Sequence, residues 1–478
     1  MSPDDGGLAR LRERLTGRLV LPGDEGYDLA RQLQLAEFDA VHPSGVAYCE
    51  TVEDVRACLR HAVDNGVPLA VRSGGHNFAG WSTTQGLVVD LSRMNHIEAV
   101  GGTVRLGPGA QAVDVVTRLA EANLQVAAGI CPTVCPAGFI SGGGIGWQAR
   151  KFGLACDRLV SAEVVIADGT VVRCSEDQEP GLFWALRGGG GGNFGIIVDL
   201  EVRPTNVPRM VNFMVVWDWA YALDVLYQWQ HWSMAAHVEL TSEIGVVLTD
   251  AAEGAVPTVV MHGAYLGTKE EFDRALAELC RQAGAQPAVC SADELPYAEA
   301  MLRLYNCADK SPEQRYRVGT RPEAVLPRQG YLRERHRLFE APLGRDLLDR
   351  AIAAFDQDRY ANRMHYLALS ALGGAINEVS PTETSYVHRS AQFLVKYTVV
   401  GDDPRPAPVD LATAQAWVDQ GFALLDPHSN GHSYINYPDP ALDDWKWAYY
   451  GENYTRLLEV KKTYDPSNVF TFAQSVGS

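Results

Sequence analysis

Hydrophobic and polar residues alternate over short distances in the first 200 residues, which predicts small helices and strands joined by loops. Thr51 with Asp54 three residues later is typical of a capping box, and apolar residues then recur at helical spacing up to the dipeptide at 65–66. The apolar run 67–71 predicts a short strand, and residues 162–173 predict a hairpin. This half of the chain therefore mixes short α and β elements.

Beyond about residue 206 the hydrophobic runs become longer. Strand-like runs at 211–217, 238–248 and 258–265 precede a helical pattern at 269–283, and further β-rich sequence lies at 364–379 and 391–400. This order predicts an α+β region of its own, with an antiparallel sheet covered by helices. The last 45 residues carry a helical stripe that ends at Asp465-Pro466.

The length and this change of pattern together predict two domains. A chain of 478 residues exceeds the size that one hydrophobic core usually reaches. We expect a first domain over residues 1–205 and an inserted domain over 206–429. Residues 430–478 are too few to fold alone, so they are expected to dock onto the first domain and complete it.

Composition and charge narrow the class of protein. The chain carries 59 acidic and 41 basic side chains, a formal charge of −18, and it has no Lys/Arg run, which argues against nucleic acid as a partner. No apolar run approaches the ~18 residues of a membrane span, and the N-terminus lacks a secretory signal pattern. With nine scattered cysteines, we expect a cytoplasmic protein whose thiols are mostly reduced.

Glycines concentrate in three segments, at 72–77, 131–146 and 187–195, which we call the first, second and third glycine segments. Consecutive glycines let the backbone approach a ligand closely, and their amides can converge on an anion such as a pyrophosphate. A single segment of this kind can equally be a tight turn that binds no ligand. Three of them within 200 residues favour a ligand site.

The third segment contains a G-x-G-x-x-G pattern at Gly190, Gly192 and Gly195. That pattern binds dinucleotides when a strand precedes it and a helix follows. Here a helix-like segment at 182–186 precedes it and an apolar strand-like run at 196–202 follows. The reversed order excludes a nicotinamide-type Rossmann turn.

The chain resembles the berberine bridge enzyme-like oxidases of the vanillyl-alcohol-oxidase flavoprotein superfamily. The matching motifs are RSGGHN at 72–77, CPTV at 131–134, SGGGIG at 141–146, RKFGLACD at 150–157, GLFWALRGGGGGNFG at 181–195, NYPD at 436–439, YYGENYTRL at 449–457 and YDPSNVF at 464–470. The resemblance is weaker between 206 and 429, apart from GGAIN at 373–377 and His388-Arg389. It implies the two-domain PCMH-type FAD-binding fold with an inserted substrate domain.

The resemblance implies FAD attached covalently, through His76 to the flavin 8α-methyl and through Cys131 to flavin C6. Imidazole and thiolate are both competent nucleophiles, and we expect an electropositive polar loop to favour the thiolate of Cys131. Cys131 with Cys135 can also be read as half of a metal site or as a disulfide. Because no second ligand cluster lies nearby, we predict no metal site.

Further cofactor contacts follow from the same motifs. The residues that the resemblance assigns to the cofactor site, besides His76 and Cys131, are Arg72, Ser73, Gly74, Gly75, Asn77, Gly80, Val134, Gly138, Ser141, Gly142, Gly143, Gly146, Gly153, Asp157, Gly195, Ile196, Val198, Tyr437 and Asn453. The second segment departs from the family pattern because Phe139 stands where relatives carry a histidine near the flavin pyrimidine. Val134 falls where oxidase members admit oxygen to the flavin.

Hydride transfer to flavin N5 also needs a base that takes a proton from the substrate. Tyr437 matches the family's candidate base, and Tyr434 and Asn377 are further catalytic candidates. A free tyrosine titrates near ~10, so a phenolate at neutral pH needs local help. Either tyrosine can instead be a core residue, and Glu378 is expected to point away from Asn377 because strand residues alternate.

The sequence thus predicts an FAD-dependent oxidase of a hydroxyl-bearing small molecule, with oxygen as acceptor and hydrogen peroxide as product. A tailoring step in natural-product biosynthesis is the leading interpretation. An oligosaccharide oxidase that forms a lactone is the enzymatic alternative. A flavin-bearing binding protein with little turnover is the alternative from another class.

Overall fold

The computed structural model describes residues 5–478. Its strands are β1 (Arg18–Val20), β2 (Gly45–Tyr48), β3 (Leu69–Arg72), β4 (Leu87–Asp90), β5 (Ile97–Val100), β6 (Thr103–Leu106), β7 (Leu159–Val165), β8 (Val171–Ser175), β9 (Ile196–Val202), β10 (Arg209–Asp218), β11 (Leu240–Leu248), β12 (Thr258–Tyr265), β13 (Val289–Pro296), β14 (Tyr331–Phe339), β15 (Arg363–Ala371) and β16 (Phe393–Gly401).

The helices of the same residues are α1 (Asp5–Arg14), α2 (Tyr27–Ala30), α3 (Val52–Asn65), α4 (Ala112–Ala120), α5 (Pro136–Ser141), α6 (Ala149–Phe152), α7 (Pro180–Ala185), α8 (Ala222–Ala235), α9 (Lys269–Ala283), α10 (Tyr297–Leu304), α11 (Arg345–Phe355), α12 (Pro408–Leu425), α13 (Trp445–Tyr450) and α14 (Tyr454–Tyr464). Short 3₁₀ turns connect several of them. No helix within residues 5–478 combines the length and the apolar character needed to cross a membrane.

The strands form three sheets. The first has the order β1-β2-β4-β3, with β2, β4 and β3 parallel, and the second has the order β5-β6-β9-β7-β8. The third is a seven-stranded antiparallel sheet of order β13-β10-β12-β11-β15-β16-β14. This combination confirms the predicted α+β fold class.

One face of the seven-stranded sheet packs against α8, α9, α11 and α12. The shared core contains Trp217 and Trp229 and the helix residues Phe272, Phe355 and Trp417. Because side chains alternate along each strand, the intervening residues project from the opposite face. That second face carries charged residues, among them Glu243, Glu334 and Lys396.

Several sequence predictions are confirmed at the level of single elements. The Thr51–Asp54 capping box is formed, and α3 ends at Gly66, whose φ is 62°. The β-rich sequence at 364–379 forms a strand only in its first part: β15 ends at Ala371, and Gly373 and Gly374 then turn the chain with φ of 83° and 59°. Glycine tolerates this left-handed conformation, which a strand cannot continue.

The C-terminal segment docks beside the third glycine segment. The Nζ of Lys461, on α14, donates to the carbonyls of Asn193 at 2.7 Å and Phe470 at 2.6 Å. Lys461 also pairs with Asp465 at 2.8 Å, so its buried charge is compensated. The amide of Val476 donates to the Asn193 side chain at 2.8 Å. These contacts tie the tail to the loop that precedes β9.

Candidate active site

One large cavity, of about 1190 Å³, lies between the glycine segments and the seven-stranded sheet. We call the glycine segments and the loops around them the glycine wall. The sheet wall is the free face of the sheet, whose polar side chains in the lining are Glu243, His262, Glu334, Tyr366 and Lys396; Val247, Val260 and Met364 are its apolar ones. Residues 434–437 and 467–472 also line the cavity. The volume exceeds the ~300–1,000 Å³ typical of a small-ligand pocket, so there is room for more than one molecule.

The first glycine segment follows the end of β3. Arg72, the last residue of the strand, is buried, and its guanidinium bonds to Asp90 at 2.5 Å and to the Ala30 carbonyl at 2.6 Å. Arg72 therefore anchors the segment rather than lining the cavity. Gly75, with φ of 69°, turns the chain so that His76 reaches the cavity.

His76 is held in a defined orientation. Its Nε2 lies 2.8 Å from Thr133 Oγ1, which leaves Nδ1 as the ring nitrogen without a protein partner in the described chain. Burial, with a smaller effect of the Arg317 charge, lowers the pKa of His76 to about 4. The imidazole is therefore neutral at physiological pH and has a lone pair available as a nucleophile.

Cys131 lines the same cavity, but its environment differs from the expected one. Burial raises the pKa of the Cys131 thiol, and the charge of Lys396 only partly opposes that effect. The expectation of a loop that favours the thiolate is therefore wrong, because desolvation outweighs the nearby cation. Cys131 and Cys135 are both free thiols, so the alternative of a disulfide between them is not formed.

The second and third glycine segments are fastened to each other and to the C-terminal segment. The Ser141 carbonyl accepts the amides of Gly188 at 3.0 Å and Gly190 at 2.9 Å. The Tyr434 hydroxyl oxygen accepts the amides of Gly144 at 2.9 Å and Ile145 at 3.1 Å, and it also accepts Asn436 Nδ2 at 2.9 Å. These bonds fix the backbone that faces the cavity.

The glycines of this wall leave space for a ligand. A Cβ on Gly138 would meet no atom within 4 Å, and Gly190 and Gly192, with φ of 85° and 75°, line the cavity. Turned glycine backbone of this kind, without side chains, lets a flat or extended ligand approach closely. Together with His76 and Cys131, this wall fits a flavin dinucleotide.

The sheet wall is centred on a buried ion pair. Lys396 Nζ lies 3.2 Å from Glu243 Oε2, and Tyr366 donates to Glu243 Oε1 at 2.9 Å. Ser370 also donates to Glu243. Burial raises the pKa of Glu243, but the Lys396 and His262 charges and these hydrogen bonds outweigh it and lower the pKa to about 2. The Glu243 carboxylate therefore stays ionised.

Glu334 adds a second carboxyl group to this wall. Thr398 donates to Glu334 Oε2 at 2.8 Å, whereas Oε1 is buried and has no hydrogen-bond partner among residues 5–478. Burial raises the pKa of Glu334, although the Lys396 charge opposes the shift. The wall thus has two carboxyl groups for one ammonium group and keeps one acceptor atom unused.

Tyr437 stands where the two walls meet. Its ring stacks on Phe78, two residues after His76, with centroids 5.6 Å apart, and Lys396 Nζ lies 5.3 Å from the centre of the same ring. Burial raises the pKa of Tyr437, and the Lys396 charge acts in the opposite direction. Tyr437 therefore has a fixed ring plane and a cation that stabilises its ionised form.

The cavity brings together many of the residues predicted from the motifs. Those that line it are Ser73, Gly74, Gly75, His76, Asn77, Gly80, Cys131, Val134, Gly138, Gly195, Tyr434 and Tyr437. Those that lie outside its lining are Arg72, Ser141, Gly142, Gly143, Gly146, Gly153, Asp157, Ile196, Val198, Asn377 and Asn453.

Three of these predicted residues lie outside the cavity lining and bond to other parts of the chain. Asp157 pairs with the buried Arg389 at 2.7 Å, and Asn453 Nδ2 donates to the Pro381 carbonyl at 2.7 Å. Asn377 donates to the Ala391 carbonyl at 3.2 Å, away from the cavity, so its assignment as a catalytic residue is corrected. Tyr434 faces the cavity with its ring, but three N–H groups already occupy its hydroxyl oxygen, which makes it a positioning residue.

Sequence reasoning missed the sheet wall. Glu243, Glu334 and Lys396 lie on three different strands, and none belongs to a recognisable motif. A signal was nevertheless present: Glu243 and Lys396 each interrupt an otherwise uncharged strand, LTSEIGVVL and FLVKYTVVG. A single charge at the centre of such a run indicates a paired or functional group, because an unpaired buried charge is costly.

Comparisons with known proteins show the family to which the chain belongs. A family model described as "FAD binding domain" matches residues 43–175, and one described as "Berberine and berberine like" matches residues 433–477. The chain is 30% identical to the "Uncharacterized FAD-linked oxidoreductase YgaK" of Bacillus subtilis (97% of this chain, 98% of the relative). It is 29% identical to the (R)-6-hydroxynicotine oxidase of Paenarthrobacter nicotinovorans (95% of each).

A solved structure shows the same fold along the whole chain. BBE-like 1 of Physcomitrella patens superposes with a TM-score of 0.85 and 25% identity, covering 98% of each chain. The chain belongs to the berberine bridge enzyme-like FAD-linked oxidoreductases.

Proposed function

We propose that this protein is an oxidase that takes hydride from a hydroxyl-bearing small molecule and passes the electrons to oxygen, which yields hydrogen peroxide. The observation that carries this proposal is the shared cavity of His76, Cys131, Tyr437 and Lys396. The cavity combines candidate attachment points for the cofactor with Tyr437, whose ring lies close to the Lys396 ammonium group. Bound FAD would supply the hydride acceptor and the means of reducing oxygen.

The glycine wall would hold the cofactor, with His76 and Cys131 as its two covalent attachment points. The free Nδ1 and the lowered pKa of His76 support a histidyl link. Cys131 needs activation because burial raises its pKa, and Lys396 is the nearby cation that can provide it. We assign residues 1–205 with 430–478 to the cofactor domain and residues 206–429 to the substrate domain.

In this proposal Tyr437 accepts the proton of the substrate hydroxyl. Phe78 holds its ring, and Lys396 stabilises the phenolate that must form. Glu243 holds Lys396 in place through the 3.2 Å pair. The unused Oε1 of Glu334 can accept a hydrogen bond from a second donor group of the substrate.

The substrate class that fits is a polar small molecule with several hydrogen-bond donors. We favour a tailoring oxidation in natural-product biosynthesis, since the cavity has room beside the cofactor for a bulky substrate. An oligosaccharide oxidase is the second candidate, which the carboxyl groups of Glu243 and Glu334 on the sheet wall favour because sugars present many hydroxyl groups.

A screen for peroxide release tests the proposal. Purified holoprotein would be offered sugars, polyketides and glycosides in air, and each hit would be repeated without oxygen to follow loss of the flavin absorbance. We expect at least one class to give peroxide and to bleach the flavin anaerobically. Bleaching without peroxide in air would contradict the oxidase assignment and indicate a dehydrogenase.

A further inference from the structure

The charged side chains that line the large cavity do not balance. Among the residues that the structure describes, the acidic and basic ones in the lining are Glu243, Glu334 and Lys396. Burial lowers the pKa values of the two lining histidines, His76 and His262, so that neither adds a positive charge at neutral pH. The cavity therefore has two carboxyl groups and one cation.

That cation is already bound within the sheet wall. Lys396 Nζ lies 3.2 Å from Glu243 Oε2, and the two side chains are only 8% and 12% exposed. The same nitrogen lies 5.3 Å from the ring centre of Tyr437 and 5.9 Å from that of Tyr366. A carboxylate together with aromatic faces is a typical environment of an ammonium group. The wall thus contains one complete ammonium site, and Glu334 is not part of it.

Glu334 is the carboxyl group without a cation of its own. It lines the cavity from β14, and it forms no ion pair with another of the residues 5–478. Thr398 donates to its Oε2 at 2.8 Å, whereas Oε1 is buried and has no hydrogen-bond partner in that part of the chain. A buried acceptor without a donor costs free energy, which a ligand that donates to it recovers. Glu334 is therefore an incomplete binding site.

Glu334 also lies near the proposed base. Burial raises the pKa of Tyr437; the Lys396 charge opposes that shift, and the charges of Glu334 and Glu243 add to it. Charges act on one another in this way only over short distances. One small molecule can therefore contact Glu334 and Tyr437 at the same time.

An ammonium group fits Glu334 better than other donor groups do. A hydroxyl group would satisfy Oε1 but would leave the charge of the carboxylate uncompensated, whereas an ammonium group does both. A guanidinium group pairs best with two carboxyl oxygens, and Oε2 of Glu334 is already bonded to Thr398. The formal charge of −18 also favours the approach of a cation to the protein. These properties select an aliphatic amine.

We propose that the substrate is an amino alcohol, such as an amino sugar or a glycoside that carries one, whose ammonium group pairs with Glu334 while a hydroxyl group faces Tyr437. The inference rests on the proposed oxidase function and narrows its substrate class. The amine serves in recognition and is not oxidised. Hydride leaves the carbon that bears the hydroxyl group, the hydroxyl proton passes to Tyr437, and the carbonyl product keeps the ammonium group.

Binding of matched probe pairs to the holoprotein tests the site without turnover. The pairs are the β-1,4-linked dimer of glucosamine with its neutral N,N′-diacetyl derivative, and cyclohexylamine with cyclohexanol. Followed by the change in flavin absorbance, the ammonium member of each pair should bind about tenfold more tightly, as a charge-assisted hydrogen bond provides. Glu334→Gln, which keeps an acceptor for Thr398, should abolish the difference. Glu253→Gln, at an exposed position between β11 and β12, is the matched control and should retain it.

A second variant gives a readout that does not depend on Glu334→Gln. Lys396→Met should bind the ammonium probes more tightly than the unmodified protein does, because Glu243 then also lacks its cation. Equal affinities within both pairs, or a preference that survives in folded Glu334→Gln, would overturn the inference.

Peroxide release separates this inference from the proposed function. Peroxide from neutral alcohols at the same or a lower KM than from their amino counterparts would keep the oxidase function and overturn the amino-alcohol assignment. If no alcohol gives peroxide or bleaches the flavin, the oxidase function fails, and the substrate assignment fails with it even where Glu334 binds ammonium. A lower KM for the amino compounds, lost in Glu334→Gln, would support both.

Discussion

The two walls of the large cavity are built in different ways. The glycine wall is mainly backbone, drawn from three short segments whose amides and carbonyls bond to one another. The sheet wall is made of side chains, and its central pair joins Glu243 of β11 to Lys396 of β16, with β15 between them. A backbone wall suits a constant ligand such as a cofactor. A wall of interchangeable side chains suits a substrate that differs from one relative to the next.

The two walls also differ in how they tolerate amino-acid substitutions. A substitution in the glycine wall can meet backbone, as at Gly74, where a Cβ would lie 2.7 Å from the Thr133 carbonyl oxygen. Substitutions in the sheet wall change the charge of the cavity, while the hydrophobic core lies on the other face of the sheet. We therefore expect changes in the two walls to affect different observables.

The largest expected effect concerns the residue between the walls. Tyr437→Phe removes the proposed base and should lower turnover by about a thousandfold, within the range for loss of a general base. The flavin content should be unchanged, because Phe keeps the stacking on Phe78. Steady-state peroxide release measures the loss, and Tyr360→Phe, at an exposed tyrosine, is the control. Unchanged turnover would remove Tyr437 from the mechanism.

The next effect tests a residue outside both walls. Asp157→Asn leaves the buried Arg389 without its charged partner and should lower the free energy of unfolding by about 3 kcal/mol. Chemical denaturation measures it, with the exposed Asp64→Asn as the matched control. Flavin per folded molecule should stay constant. A stable variant that loses flavin would restore Asp157 to the cofactor site.

A smaller effect belongs to the sheet wall alone. Lys396→Met removes the cation that lowers the pKa of Tyr437, so that pKa rises further. Since the proposed base is the Tyr437 phenolate, the rise of activity with pH should move to higher pH, and turnover at neutral pH should fall by about tenfold. Lys396→Arg should retain the original profile. If the pH profile of activity is the same in Lys396→Met as in the unmodified protein, Lys396 only shapes the pocket.

The smallest effect belongs to the glycine wall. Phe139→His introduces a hydrogen-bond donor at the position where the family resemblance implies one near the flavin pyrimidine. One hydrogen bond of about 1 kcal/mol to the reduced cofactor corresponds to ~20 mV for a two-electron couple, so the midpoint potential should rise by that order. Spectroelectrochemistry of the bound flavin measures the shift. An unchanged potential would show that residue 139 does not reach the flavin.

The two walls were also unequally predictable from the sequence. His76, Cys131 and the glycines lie in contiguous motifs, so their chemistry could be recognised before the fold was known. Arg72, Asp157 and Asn453 share those motifs but support the loops, because their side chains turn away from the cavity. Glu243 and Lys396 are 153 residues apart in the sequence and meet only through strand order and register, which no local pattern specifies.

Covalent attachment of the flavin to His76 and Cys131 in the glycine wall can be measured directly. Intact-protein mass spectrometry after denaturation would compare the unmodified protein with His76→Ala, Cys131→Ala and the double variant. We predict that the unmodified protein and each single variant retain the mass of one FAD and that only the double variant loses it. Release of all flavin from His76→Ala would contradict the second link through Cys131 and leave a single histidyl attachment.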